Sequence, residues 1–399
     1  MSRVLAALVP HAARALLATT ALAACAPSRG AAYERSLAEA HRAHTAGRFD
    51  VAADRFADAA RTAKIPRDAV FARYEAALDR ARSGDVARAA EELRALANEK
   101  PETEYSGPAA FKAAELTGRS DPAAAAAEFE AMAAKYPESG VAKVAVERVL
   151  RFEEREPALG TTPSQPAAAR ALARLDEIAP KVQHTKLEEE VTYQRARRLA
   201  DLGRLEPARD GFLDVAKRWP YPTGAYFDDA LFRVSEVDTK LGQPEAAAAH
   251  LERLLSFHEI STIIGSYERP RYIPALLRLA RLYEVDLHDR GRAKSTLHRL
   301  YAEFPTSTLR DDALWREAQL WEQDGDGNTA CSRLATLARD LPDSRYVPCI
   351  PLKCPAVARP SKTKAPSTCH AYLLRPASAT PPGEDVAPTV DTTRPDDPK

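Results

Sequence analysis

The chain is 399 residues long, enough for two or three ordinary domains or one long repeat array, and its 57 basic and 57 acidic side chains cancel. That balance excludes recognition of nucleic acid by bulk charge. Ala, Arg, Leu and Glu dominate, glycine is sparse and aromatic residues make up 7%, a mixture that favours helices over strands.

The chain opens on a leader. Residues 1 to 14 carry Arg3, His11 and Arg14 and no acid, and a run of apolar or small residues then reaches Ala24, in the order of a secretory signal. The run falls short of the ~20 apolar residues that cross a bilayer. It closes on Leu22-Ala23-Ala24-Cys25, which resembles the lipobox of a bacterial lipoprotein. The resemblance implies cleavage before Cys25, a diacylglycerol on its thiol and a mature chain held at a membrane. A plain signal peptide cut after an Ala-x-Ala site is the alternative, with Cys25 an ordinary thiol. Ala26 stands where Asp would favour inner-membrane retention, so the resemblance implies an outer-membrane, lipid-anchored, periplasm-facing protein. The layout predicted for this end is a signal peptide over 1–24 and a lipidated tether over 25–32.

From about Tyr33 the chain repeats itself. Asp228-Asp-Ala-Leu-Phe-Arg-Val-Ser235 and Asp311-Asp-Ala-Leu-Trp-Arg-Glu-Ala318 are nearly one phrase, each followed by a glycine, Gly242 and Gly325, and an alanine-rich second helix. The closing motifs recur as well, at Lys135-Tyr-Pro137, Arg218-Trp-Pro220, Glu303-Phe-Pro305 and Asp340-Leu-Pro342. Pro101 and Pro137 are 36 residues apart and Pro305 and Pro342 are 37 apart, while Pro137, Pro220 and Pro305 are spaced by 83 and 85, two units each. A fixed period of this size marks a stacked array of supersecondary units.

These residues resemble the tetratricopeptide repeat, in which small residues let two antiparallel helices approach and large ones fill the space between hairpins. The pattern is carried by Gly47, Ala52, Phe56 and Ala59; Gly84, Ala89, Leu93 and Leu96; and, less regularly, Ser120, Ala125, Phe129 and Met132. It resumes at Ala196, Gly203, Ala208 and Phe212; Ser235, Gly242, Ala247 and Leu251; Ala280, Ala293 and Leu297; and Ala318, Gly325, Ala330 and Leu334. The implied fold is all-α, a right-handed α-solenoid of about seven to eight helical hairpins. Units of this type are predicted over 33–156 and 167–348. Between them lies Pro157 to Pro166, where three prolines keep a connection of ten residues out of helix. A second insertion near Ser261 to Tyr267 exposes Ile263, Ile264 and Tyr267, either as a helix cap or as a contact.

Beyond Lys353 the apolar periodicity stops. A cysteine-containing extension is predicted over 349–375 and a disordered Pro-rich tail over 376–399. Cys331, Cys349, Cys354 and Cys369 are even in number and, in an exported chain, suggest two disulfides whose pairing spacing alone leaves open. A structural zinc site is the competing reading, but no second paired motif follows Cys349 and Cys354. Tyr372-Leu-Leu374 is the one apolar run of the extension and is expected to pack on the last helix.

No catalytic arrangement stands out. The chain has no Walker loop, no dinucleotide fingerprint, no His-Glu-x-x-His helix and no Gly-x-Ser-x-Gly elbow. Asp324-Gly-Asp326-Gly-Asn328 imitates the start of a calcium loop, but Ala335 stands where a bidentate Glu is needed and Gly325 falls at the inter-helix turn. We therefore expect no enzyme, no metal and no cofactor.

The repeat resemblance also implies where a partner would lie. In that family the first helices line a concave groove, and the positions carried over are Glu190, Tyr193, Arg197 and Asp201; Asp229, Phe232, Glu236, Thr239 and Lys240; and Asp312, Trp315, Gln319, Glu322 and Gln323. Tyr193, Phe232 and Trp315 are the expected anchors, since aromatic residues carry much of the energy of protein interfaces; packing within their own hairpins is the alternative. The repeat endings are similar to those of the outer-membrane β-barrel assembly lipoprotein and the Tol-Pal coordinating protein. They imply a scaffold for other envelope proteins or peptide segments, held to the membrane through Cys25. Two alternatives are a pilus, gliding or secretin assembly factor of the same architecture, and a peptidoglycan-acting enzyme with a helical-repeat body.

Overall fold

A computed structural model of the chain describes residues 29–155, 166–257 and 270–374. Cys25 with the whole leader, residues 157–165 of the Pro-rich connection, Ile263, Ile264 and Tyr267, and the tail over 376–399 lie outside the described residues.

The described residues are all-α and fall into two compact units, one ending at Gln194 and one starting at Arg195. The first contains α1 (Ala31–Thr45), α2 (Phe49–Thr62), α3 (Pro66–Arg82), α4 (Val86–Ala97), α5 (Ser106–Thr117), α6 (Pro122–Lys135), α7 (Ala142–Glu153) and α8 (Ala167–Ile178). Helix α9 (Glu188–Asp201) carries the division. The second unit continues with α10 (Leu205–Arg218), α11 (Phe227–Lys240), α12 (Pro244–Leu255), α13 (Tyr272–Arg281), α14 (Arg290–Glu303), α15 (Arg310–Gln323), α16 (Gly327–Asp340) and the short α17 (Ile350–Lys353). Successive helices pair as antiparallel hairpins, so each unit is a stack of them.

The residues that carry the repeat are those that make the hairpins close. Ala40 and Ala52, Ala77 and Ala89, Ser235 and Ala247, and Ala318 and Ala330 are all buried where the two helices of a pair meet. Ala196 and Ala208 are buried likewise in the α9–α10 pair, and one turn further on a Cβ on Gly211 would come within 2.9 Å of the Ala196 methyl. Phe56, Leu93, Phe212, Leu251 and Leu334 are the large counterparts, each buried between neighbouring helices. Full burial of such a side chain contributes about 1.5–3 kcal/mol.

Helix ends follow the same periodicity. Asp85, Asp121, Asp289 and Asp326 cap α4, α6, α14 and α16 through their side-chain oxygens. Pro66, Pro122 and Pro244 open α3, α6 and α12, where a missing N–H costs nothing. Gly47, Gly84, Gly203, Gly242 and Gly325 all take positive φ between paired helices, the left-handed stop that glycine adopts most easily.

The α13–α14 pair deviates instructively. Ala280 and Ala293 are separated by one residue more than Ala196 and Ala208, Ser235 and Ala247, or Ala318 and Ala330. The extra residue is taken up as a turn of π-helix over Leu282–Asp286. His288 then stands at the left-handed position of the other pairs, with φ 54°.

The Pro-rich connection lies inside a hairpin and does not divide the compact units. Buried Glu153 at the end of α7 receives Arg174 of α8 at 2.9 Å, while Arg170 donates to its backbone carbonyl at 2.7 Å. Val146, Val149, Leu175 and Ile178 then join the two helices in one core. The unit boundary falls further on, within α9.

The extension after α16 is stapled to the second unit. Cys331 of α16 pairs with Cys354, and Cys349 pairs with Cys369. Val347, Cys349 and Ile350 are buried and continue the core of Leu314, Leu334 and Leu337. Leu373 and Leu374 join that core as expected from the apolar run, whereas Tyr372 points outward. Arg359 donates to the carbonyls of Ala365, Pro366 and Ser367 and folds the intervening loop.

Candidate protein-binding cleft

The expected aromatic anchors are buried. Tyr193, Phe232 and Trp315 are 4%, 8% and 4% exposed, so none presents its ring to a partner in this structure. The reason is local. In three places a residue ahead of a later helix folds over the ring of an earlier first helix. Tyr105, just before α5, packs on Tyr74 of α3 with ring centroids 5.3 Å apart. Arg271, just before α13, lies 5.1 Å over Phe232 of α11. Tyr346, ahead of α17, stacks on Trp315 at 4.7 Å. Burial also pushes the Tyr74 hydroxyl up to about 12. These rings therefore join consecutive hairpins.

The charged residues expected beside them are distributed unevenly. Gln319 is buried and accepts from Arg316 at 3.1 Å. Glu236 is half-buried and pairs with Arg233 at 2.9 Å. Arg316 also forks onto Glu284 of the π turn. Arg197 is half-buried, while Lys240 is exposed with no acidic partner among the described residues. In the second unit, most of the cations on the first helices are thus occupied. The remaining space beside Trp315 is about 40 Å³ and is closed by Lys353 and Cys354.

The sequence motif that imitated a calcium loop is also committed internally. Asp324 accepts from Arg290 at 2.8 Å and Lys294 at 2.7 Å, and these hydrogen bonds hold its carboxyl below the usual range. Asp326 caps α16. Among the described residues, no group of three or more His, Cys, Asp or Glu side chains is placed to hold a metal ion.

The first unit is different. Its first helices α3, α5 and α7 border two adjoining clefts of about 370 Å³ and 240 Å³ that share Glu115 and Arg119. Leu78, Leu116 and Phe152 contribute apolar surface, and Phe129 lies beneath, its ring 5.2 Å from that of Phe111. Around them stand six cations, Arg82, Lys112, Arg119, Arg148, Arg151 and Arg155, against a single lining carboxylate, Glu115. Glu115 serves Lys112 at 2.7 Å and Arg148 at 3.5 Å, and Arg82 reaches the buried carboxylate of Asp79 at 2.7 Å. Arg119, Arg151 and Arg155 are exposed and have no acidic partner among the described residues.

Reading the sequence for aromatic anchors missed this cleft. A signal was present all the same: Arg82, Arg119 and Arg155 recur 37 and 36 positions apart, close to the repeat period, each at the end of a first helix. The negative end of a helix dipole favours a cation there. It supplies no carboxylate to match the guanidinium.

Against known proteins, one stretch of the chain matches a family model. Residues 274–307 match the tetratricopeptide repeat. They cover most of α13, the π turn and α14, so the match falls on the irregular hairpin. No curated protein matches the chain. Similar solved structures include PilW, a widely conserved type IV pilus biogenesis factor, at 16% identity over 61% of this chain and 98% of that one, with a TM-score of 0.35. A tetratricopeptide repeat protein from Parabacteroides merdae is similar at 10% identity over 71% of this chain and 98% of its own, with a TM-score of 0.31. The apo quorum sensor NprR of B. thuringiensis is similar at 10% identity over 83% and 94%, with a TM-score of 0.34.

Proposed function

We propose that this chain is a non-enzymatic, membrane-anchored tetratricopeptide scaffold that binds other cell-envelope proteins through the inner face of its first unit. The observation that carries the binding reading is the cleft between α3, α5 and α7, where apolar surface and three uncommitted arginines lie together. Such a surface suits a polypeptide, because a partner gains both burial and charge-assisted hydrogen bonds. The anchor rests on the leader and on Leu22-Ala23-Ala24-Cys25. Few residues separate Cys25 from the start of α1 at Ala31, so an anchored chain would hold α1 close to the bilayer.

Two experiments test this reading. Cys25→Ser followed by membrane fractionation should release the chain from the membrane, and retention through that change would refute the anchor. Crosslinking in intact cells followed by purification should recover envelope proteins, while the purified chain should not hydrolyse peptidoglycan. Peptidoglycan turnover by a chain that recovers no partner would sink the scaffold reading.

A further inference from the structure

The arginines of the first-unit cleft that have no acidic partner among the described residues define a class of partner. We infer that the cleft bordered by α3, α5 and α7 binds an acidic, partly apolar polypeptide segment, with Arg119, Arg151 and Arg155 taking its carboxylates. This rests on the scaffold reading and deepens it.

Charge complementarity is the first support. The other three cations of the cleft already have acids: Arg82 has Asp79, and Lys112 and Arg148 share Glu115. What remains is guanidinium alone, whose planar fork matches a carboxylate with two parallel hydrogen bonds. Leu116 lines the first cleft with Arg119, and Phe152 lines the second with Arg119, Arg151 and Arg155. A ligand of carboxylates with apolar side chains interspersed would satisfy both features. A flat bilayer of anionic lipid would meet the exposed arginines but leave the apolar recess unfilled. Nucleic acid is disfavoured by the cancelling net charge of 57 basic and 57 acidic residues, which gives no long-range field for a polyanion.

The test uses the full chain without its leader and a fluorescein-labelled 15-residue peptide, three repeats of Glu-Glu-Leu-Asp-Ala. Its carboxamide counterpart, three repeats of Gln-Gln-Leu-Asn-Ala, and phosphatidylglycerol vesicles are the competing ligands. Anisotropy should show binding of the acidic peptide only, weakening as salt rises. The triple variant Arg119→Ala, Arg151→Ala, Arg155→Ala should bind it at least about tenfold more weakly. A charge-matched control, Arg67→Ala, Arg88→Ala, Lys100→Ala, removes three exposed cations elsewhere in the same unit and should change binding by less than about twofold. Unchanged melting of both variants confirms that folding is not being read. Equal binding of the carboxamide peptide, equal loss in the two variants, or binding of vesicles without peptide would each overturn the acidic-segment assignment. Absence of peptide binding would overturn it as well. In all these cases, envelope proteins still crosslinked to the chain in cells would leave the scaffold reading standing, and their absence would remove both.

Discussion

The two units are built from the same hairpin but handle charge in opposite ways. In the second, Arg233 and Arg316 of the first helices pair with Glu236 and Glu284, and the last hairpin is covered by a segment fixed through two disulfides. In the first, three arginines are left facing a cleft. Charges that are paired within a fold serve its stability, whereas those left unpaired beside apolar surface are available to a ligand. On the proposed reading, binding belongs to the first unit, while the second ends in a hairpin closed by its disulfide-fixed extension.

Six variants in four groups test that contrast, beginning with the largest expected effect. All three tryptophans, Trp219, Trp315 and Trp321, lie in the second unit, so their fluorescence reports that unit alone during denaturation. The double variant Cys349→Ser, Cys369→Ser opens a covalent loop of sequence separation 20, and should lower the stability so measured by about 3 kcal/mol. Peptide binding at the first unit should survive; its loss would show that the two roles are not separate.

Next is Glu317→Leu. This carboxylate is 1% exposed and holds Arg333 at 2.6 Å and His298 at 3.0 Å, with the Trp321 indole donating to it at 3.3 Å. Removing it strands its donors and should cost about 2–3 kcal/mol by the same fluorescence assay. Arg151→Ala in the first unit, an exposed and unpaired residue, should stay within about 0.5 kcal/mol by hydrogen exchange. A large cost there would mean that the cleft arginines are structural.

A smaller pair of changes concerns the left-handed stops. His288→Gly should stabilise the second unit by up to about 1 kcal/mol, because a residue with a Cβ is strained at positive φ. Gly325→Ala, where φ is 82°, should destabilise it by about 1 kcal/mol. Equal effects of opposite sign in chemical denaturation would support one stop repeated along the array.

The smallest effect is one of pH. Hydrogen bonds from Arg339 and then Tyr301 depress the Asp340 carboxyl to about 2. A lowered folded value means that the charged form is the one stabilised. Its contribution is therefore complete above about pH 4 and disappears as the pH falls toward 2. Solvent exposure of the pair limits it to less than about 1 kcal/mol. Asp340→Asn should remove that acid-dependent loss and leave the rest of the profile unchanged.

Much of the hairpin stack was legible in the sequence because its cause is local and periodic. Small residues must lie where two helices touch, and Ala52, Ala89, Ala247 and Ala330 mark those places in both the letters and the coordinates. The helices on either side of the Pro-rich connection are Ala142–Glu153 and Ala167–Ile178. The disulfide pairing was not readable, since it depends on how the extension folds back, with Cys354 reaching Cys331 across 23 residues. Nor was the fate of Phe232 and Trp315. Their periodicity identifies a helix face, but Arg271 and Tyr346, which cover them, arrive from the following repeat. Arg119, Arg151 and Arg155 were obscured for the converse reason: a cation on a helix surface says nothing of whether an acid stands opposite until the neighbouring helices are in place.

The most direct test of the contrast is photo-crosslinking in living cells with p-benzoylphenylalanine placed at Phe152, in the cleft of the first unit, or at Tyr372, which is 57% exposed in the second. Binding at the first-unit cleft should give a discrete adduct to another protein from position 152 that disappears when Arg119, Arg151 and Arg155 are replaced, and none from position 372. Adducts formed only at position 372, or adducts at 152 that persist without the three arginines, would contradict binding at that cleft.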